Sequence, residues 1–275
     1  MLQEKFNSYL AELYSCEKSN ATIAKYAHDV KCFLQYSHKE SVTKRTVNDY
    51  KQYLAEKYCL STTNSMLVAL NSFFKFCGRY DLCVKLFKIQ KDAFRKEERE
   101  LSREEYRRLV ITAQKQKDQR LSLVIQTVCG TGIRISELKF ITVQAVRCGK
   151  ATVTAKGKTR TVYIIKSLRD KLTRYIKLNN IKEGPVFVSK NGNPLNRSNI
   201  WRDMKKLCKD AEVSPNKVFP HNLRHLFART FYDLDKDIAR LADILGHSSI
   251  DTTRIYTAIS SLEHSKRLES MRLII

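Results

Sequence analysis

Three stretches of this 275-residue chain concentrate side chains suited to binding phosphate: Thr131-Gly-Ile-Arg-Ile-Ser-Glu-Leu138, His221-Asn-Leu-Arg-His-Leu-Phe-Ala228 and Leu245-Gly-His-Ser-Ser-Ile-Asp-Thr-Thr-Arg-Ile-Tyr-Thr257. Arg134 and Glu137 are three apart, a spacing that puts both on one face of a helix opening after Gly132 and lets the carboxylate hold the guanidinium. His221 and Arg224 repeat the spacing. A guanidinium presents two parallel donors to nonbridging phosphate oxygens, so arginines converging from two segments would clamp a phosphodiester. Each piece alone has an ordinary reading as well. Arg134–Glu137 reads as a solvated pair, His221 as a capping residue, Lys156 as an exposed loop charge, and Tyr256 as one of 13 tyrosines. Their joint occurrence and order is what points to chemistry. A zinc reading uses His221 and His225, four apart on a helix, with His247 as a third imidazole. Against it, the pair lacks the Glu of a His-Glu-x-x-His site, and Arg224 beside it repels a cation. There is no phosphate-binding Gly-x-x-x-x-Gly-Lys-Ser/Thr loop and no acidic cluster of the kind that holds magnesium, so neither metal nor cofactor is expected.

The elements that must position these groups show in the apolar spacing. Leu2, Phe6, Tyr9, Leu10 and Leu13, then Ile23, Tyr26, Ala27, Val30, Phe33 and Leu34 after Ser19-Asn20, predict two amphipathic helices. Val47, Tyr50 and Leu54 mark a third; Met66, Leu70, Phe73, Phe74 and Cys77 mark a fourth that Gly78 can end. Residues 89–100 lose this periodicity in a charge run, and Leu101-Ser-Arg-Glu-Glu105 has a capping-box form. Helices over about Arg103–Gln114 and Gln119–Cys129 follow. Two β-rich runs, Ala151–Ala155 and Arg160–Ile165, flank a turn at Lys156-Gly157-Lys158, and Pro185–Ser189 reads as a further short strand. Helical spacing then returns over Trp201–Ala211, His221–Tyr232, Lys236–Leu245, Ser248–Tyr256 and the apolar tail Leu262–Ile275. The predicted fold is mainly α with a small antiparallel sheet: a helical domain over residues 1–88, a linker over 89–100 and an α+β domain over 101–275.

The net charge of +23 demands a polyanionic partner, and most of it, +18, belongs to residues 101–275. No apolar run approaches the ~20 residues of a spanning helix, and the N-terminus lacks a signal core, so no membrane association and a cytoplasmic, nucleoid-associated location are expected. Eight scattered cysteines without C-x-x-C pairs read as reduced thiols.

The order of the motifs resembles the tyrosine recombinase (phage integrase) family, in particular its two-domain Xer-like members, over almost the whole chain. Thr131–Leu138 is similar to the family's first arginine motif, Lys156 to its β-hairpin lysine, His221–Ala228 to its His-x-x-Arg-His motif and Leu245–Thr257 to the Leu-Gly-His segment leading to the nucleophile. Thr22, Tyr26, Asp29 and Phe33, with Thr63, Leu67, Leu70 and Phe73, resemble the helical core-binding domain. The resemblance implies Tyr256 as nucleophile and Arg134 and Arg224 as the clamp. It further implies Lys156 as proton donor to the leaving 5′ oxygen, His221 as general acid/base, His247 as donor to a nonbridging oxygen, Glu137 as the buttress of Arg134, and His225 as an orienting residue. Many relatives have a longer Gly-Lys-Gly-x-Lys-x-Arg turn than Ala155-Lys-Gly-Lys-Thr-Arg160, so Lys158 is a rival to Lys156 for the acid role.

By the same resemblance the expected function is site-specific DNA recombination through a 3′-phosphotyrosine intermediate. The expected partners are double-stranded recombination sites, held in a homotetramer that the tail helps to link, together with accessory DNA-bending or directionality factors. The domains on either side of the linker are expected to close around the duplex. Lys25, Lys31, Lys158, Arg197, Arg202, Lys205 and Lys206 are the candidate DNA contacts. With no arm-binding domain ahead of Met1–Phe6, recognition is expected to be of the core site alone. Two alternatives share the residues: type IB topoisomerase-like nicking and resealing without site preference, and a DNA-binding protein that has lost catalysis.

Overall fold

Helix caps and apolar stripes divide the chain into two compact units, Met1–Lys91 and Asp92–Ile275. The structure is a computed structural model; it describes all residues except 1, 3, 38–41, 90–96, 156, 190–191, 257–268 and 272–275, and the backbone alone of Glu97. The expected linker contains the division, and most of it lies outside the described residues, as do Lys156 and nearly all of the expected tail helix.

Among its described residues the first unit has four α-helices, α1 (Lys5–Ser15), α2 (Asn20–Tyr36), α3 (Lys44–Lys57) and α4 (Leu60–Phe76), followed by a 3-10 turn, Tyr80–Leu82. Ser19 caps α2 by accepting from the Thr22 amide, and Thr43 and Thr46 form a reciprocal cap on α3. Their apolar faces bury Tyr9, Phe33, Leu54, Leu67, Phe73 and Phe74, and the Phe33 and Phe74 rings meet edge to face at 5.5 Å. Two asparagines one heptad apart on α4 hold the extended segment that follows. Asn64 exchanges hydrogen bonds of 2.8 and 2.9 Å with the Phe87 backbone, and Asn71 does the same with Val84. An extended segment that would otherwise lack a strand partner is thereby satisfied by side-chain amides.

The second unit opens with α5 (Arg103–Lys115), capped by Ser102 and Glu105, and α6 (Gln119–Thr131). A 3-10 turn (Ile135–Phe140) and α7 (Val143–Cys148) lead to the antiparallel strands β1 (Lys150–Ala155) and β2 (Lys158–Tyr163), in register from Lys150 opposite Tyr163 to Ala155 opposite Lys158. Among the described residues five α-helices follow: α8 (Lys166–Leu178), α9 (Arg197–Asp210), α10 (Pro220–Asp235), α11 (Ile238–Leu245) and α12 (Ile250–Thr253), the last running into a 3-10 turn, Arg254–Tyr256. The mainly α fold with a small antiparallel sheet is as the sequence predicts. Two local expectations are corrected and one helix is added. Arg134 is not on a helix: it caps the 3-10 turn from an extended conformation. Pro185–Ser189 forms no strand, only isolated pairings of Thr142 with Pro185 and Val188 with Pro194. The helix α8 has no counterpart in the sequence reading, although Leu168, Leu172 and Tyr175 recur at helical spacing and are buried.

Gly132 makes the turn that releases the chain from α6 toward Arg134. Its φ is +66°, and a Cβ added there would lie 2.4 Å from the Phe227 ring of α10. Gly132→Ala is therefore expected to destabilise the protein by about 2 kcal/mol or more, the left-handed cost plus the overlap. Thermal unfolding checks it against Gly157→Ala, where φ is +72° and nothing lies within 4 Å, so only the backbone cost remains.

Candidate active site

Glu137 organises the first half of the site. Its side chain turns back to accept from the Arg134 amide at 2.8 Å and from Arg134 Nη1 at 3.0 Å. Arg160, facing inward from β2, grips the same carboxylate with Nη1 at 3.1 Å and Nη2 at 2.7 Å, and its Nε donates to the Ile244 carbonyl at 3.1 Å near the end of α11. Burial alone would raise the Glu137 carboxyl; the hydrogen bonds and charges of Arg160 and Arg134 outweigh it and hold it below the usual range. Two guanidiniums from distant segments are thus fixed by one buried anion.

Arg224 organises the second half. It projects from α10, is 1% exposed, and donates to the Gly132 carbonyl at 2.6 Å, the Leu245 carbonyl at 2.7 Å and His247 Nε2 at 2.9 Å. Its Nε has no partner among the described residues, which leaves one buried donor for an anion. Burial and the charge of Arg134 pull it down to about 10, still cationic at neutral pH. Gly246, at φ +65°, caps α11 and brings His247 back under the guanidinium; a Cβ there would press on Arg160 at 2.9 Å. His247 Nδ1 reaches the Thr253 hydroxyl at 2.8 Å.

Tyr256 is buried against Ala228, Leu241 and Leu245. The His225 ring meets it edge to face at 4.7 Å and the His247 ring lies nearly parallel to it at 6.0 Å. His221, partly exposed at the start of α10, packs on His225 at 4.5 Å, which encloses one side of its ring. All three imidazoles are held toward the neutral form. Burial, followed by His221, Arg229 and Arg224, lowers His225 to about 3; burial, followed by Arg224, Arg134 and Arg160, lowers His247 to about 4; and burial, followed by Arg224, Arg134 and Arg197, lowers His221.

These shifts predict acid sensitivity. In the unfolded chain histidine takes up its proton near 6.5; below that value the unfolded state binds more protons than the folded one, so stability falls as pH drops from 6.5 toward about 4 for His247 and about 3 for His225. Protonation of Glu137 adds to the loss at the acid end. Melting temperature measured from pH 7 downward should decline through this window, and His225→Asn should flatten the decline.

A cleft of about 790 Å³ opens beside the two halves, lined by Arg134, Lys158, Arg160, His247 and Ser248 among others. The structure therefore brings Arg134, Glu137, Arg224, His225, His247 and Tyr256 together, with His221 at the edge. Lys158 opens β2 on the cleft, and Lys156, beyond the described residues, is the next residue but one. The zinc reading is not supported, because both nitrogens of His247 are engaged by Arg224 and Thr253. Of the candidate DNA contacts, Arg197 begins α9 close enough for its charge to act on His221. Arg202 lines a separate cleft with Asp118 and Asp203. Lys205 lies 5.3 Å over the Trp201 ring and donates to the Pro215 carbonyl, while Lys206 pairs with Asp203 at 3.1 Å. In the first unit, Lys25 pairs with Asp29 and lines a cleft of about 740 Å³, and Lys31 lies 5.6 Å over the Phe6 ring. Arg160 is the residue that sequence reading misses. Two signals could have found it: alternation, which puts it on the same face of β2 as the buried Val162, and its place as the closing arginine of the hairpin turn compared with the family's.

Residues 99–263 match the phage integrase family, and residues 6–79 match the phage integrase N-terminal SAM-like domain. The chain is 30% identical to the tyrosine recombinase XerA of Pyrococcus furiosus, over 98% of this chain and 94% of that protein. Among solved structures it is similar to the XerH site-specific recombinase bound to palindromic difH substrate, with a TM-score of 0.74 and 21% identity over 92% of this chain and 79% of that one. It is likewise similar to a lambda integrase tetramer bound to a Holliday junction, with a TM-score of 0.74 and 16% identity over 93% and 76% of the two chains.

Proposed function

Because the chain belongs to the phage integrase family of tyrosine recombinases, we propose that it cuts and rejoins DNA at specific sites, with Tyr256 as the nucleophile. The observation that carries this reading is that Arg134 and His247 line one cleft, Arg224 donates to His247, and the His247 and His225 rings pack on the buried ring of Tyr256. Of the 13 tyrosines, Tyr256 packs against His225 of the second motif and His247 of its own.

In the proposed reaction a nonbridging oxygen of a DNA phosphate takes donors from Arg134 and from the unpartnered Nε of Arg224, and the two cations offset the charge that builds as phosphorus becomes five-coordinate. The Tyr256 oxygen attacks phosphorus and its proton passes to His221, the general base, which His225 orients. The bond to the 5′ oxygen breaks, and that oxygen takes a proton from Lys156 or Lys158. The products are a 3′-phosphotyrosine and a free 5′ hydroxyl; a 5′ hydroxyl from a second duplex reverses the steps and releases Tyr256. One ester is exchanged for another, so no energy source enters. Residues 1–88 and 101–275 contribute separate DNA-holding surfaces, and the working assembly is a homotetramer on two sites, as in the tetramer of the lambda integrase structure. Binding is expected to weaken steeply with salt, since counterion release drives it.

The test is polarity and metal independence. Nicked suicide duplexes, built on sequences that the full chain selects from a random pool, are incubated with it in EDTA. An SDS-resistant adduct on the 3′ side, with a free 5′ hydroxyl opposite, is expected. An adduct on the 5′ side, or one that forms only with a divalent metal, contradicts the reading.

A further inference from the structure

His247 is held at its second ring nitrogen by Thr253, a residue of the third motif to which no role has been given. A guanidinium has donors only. Arg224 Nη2 stands 2.9 Å from His247 Nε2, so Nε2 accepts and the single proton of the neutral ring is on Nδ1. That proton points to the Thr253 hydroxyl at 2.8 Å. Thr253 is fully buried on α12, three residues before Tyr256.

We propose that Thr253 is a positioning residue of the strand-transfer site: its hydroxyl accepts the Nδ1 proton of the tautomer that Arg224 imposes on His247, holds the ring in its orientation and ties it to the short helix that leads into Tyr256. The catalytic half of this inference rests on the function proposed above; the tautomer half rests on the two hydrogen bonds alone. A hydroxyl both accepts and donates. When a phosphate oxygen replaces Arg224 at Nε2, His247 must become a donor there: the Nδ1 proton leaves to solvent, another enters at Nε2, and the ring stays neutral. The Thr253 hydroxyl then turns its own hydrogen to the bare Nδ1. One side chain thus supports the ring before and after phosphate binding. Serine can do the same; valine, of equal shape, can do neither.

The experiment uses the full chain labelled with nitrogen-15 in its histidines. Ring spectra of wild type, Thr253→Val and Thr253→Ser are recorded without DNA, with His247→Asn identifying the signal among six histidines. Wild type and Thr253→Ser should show His247 protonated on Nδ1 with that proton hydrogen-bonded. Thr253→Val, in which Arg224 still donates to Nε2, should keep the proton on Nδ1 but lose its hydrogen bond, read as an upfield shift of the Nδ1 nitrogen and proton signals. Unchanged signals in Thr253→Val, or an Nε2–H ring in wild type, would overturn the proposal. Thr253→Val should also slow single-turnover cleavage by about 10- to 100-fold, as when partners that orient metal-bound histidines are removed. DNA affinity should hold, and Thr253→Ser should restore the rate. Cleavage by Thr253→Val at the wild-type rate would remove the catalytic half. If wild type itself forms no adduct, the proposed function fails while the ring spectra still decide the tautomer.

Discussion

Tyr256→Phe should abolish strand cleavage, by ~10⁴-fold or more as for loss of an enzyme's nucleophile, while the protein stays folded and bound to DNA. The ring is the part of Tyr256 that packs: it lies in the cluster with Ala228, Leu241 and Leu245 and receives the His225 edge. Phenylalanine keeps those contacts and removes only the hydroxyl, which helps to hold the Arg224 charge. The cost in stability should be about 1 kcal/mol, that of one hydrogen bond. Affinity for duplex comes from cations spread over a chain of net charge +23, so a gel-shift midpoint should move little. A variant that still forms an SDS-resistant adduct would mean that another residue attacks.

Arg224→Lys should be nearly as damaging to cleavage and should weaken the fold as well. The guanidinium spans the Gly132 carbonyl, the Leu245 carbonyl and His247 Nε2 at once, joining the end of α6 to the end of α11. A single ammonium cannot reach all three, so at least one buried acceptor is orphaned, at about 1–3 kcal/mol. Cleavage should fall by about 10²- to 10³-fold, the usual loss when one donor to developing charge is removed. Arg134→Lys is the contrast. Its side chain is 41% exposed, so cleavage should drop comparably while the melting temperature changes little. Single-turnover cleavage and thermal unfolding on the two variants separate the roles; equal loss of stability in both would show that Arg224 has no special structural part.

The sequence carried most of this site because its parts are short-range. Arg134 with Glu137 and His221 with Arg224 sit within one turn of each other, and α10 forms where the spacing predicts. The links between the parts are long-range and leave no local trace. Arg160 meets Glu137 across 23 positions and Ile244 across 84, so near Arg160 only its place on the inner face of β2 and at the close of the hairpin turn marks it, and neither names its partners. The helix expected at Arg134 fails for a local reason: Glu137 accepts from the Arg134 amide, which caps a 3-10 turn in place of a continuing helix. Pro185–Ser189 shows the opposite error. Its residues have strand character, but with β1 and β2 paired to each other the segment finds only isolated partners. The helix α8 follows β2 so closely that its spacing is masked by the β-rich run before it.

The most direct measurement is the identity of the tyrosine that carries DNA. The adduct formed in EDTA on a suicide duplex would be digested with nuclease and protease, and the nucleotide-bearing peptide sequenced by mass spectrometry. The account predicts a single modified residue, Tyr256, in the peptide that follows Arg254. Modification at any of the other 12 of the 13 tyrosines, or at a serine, would contradict it.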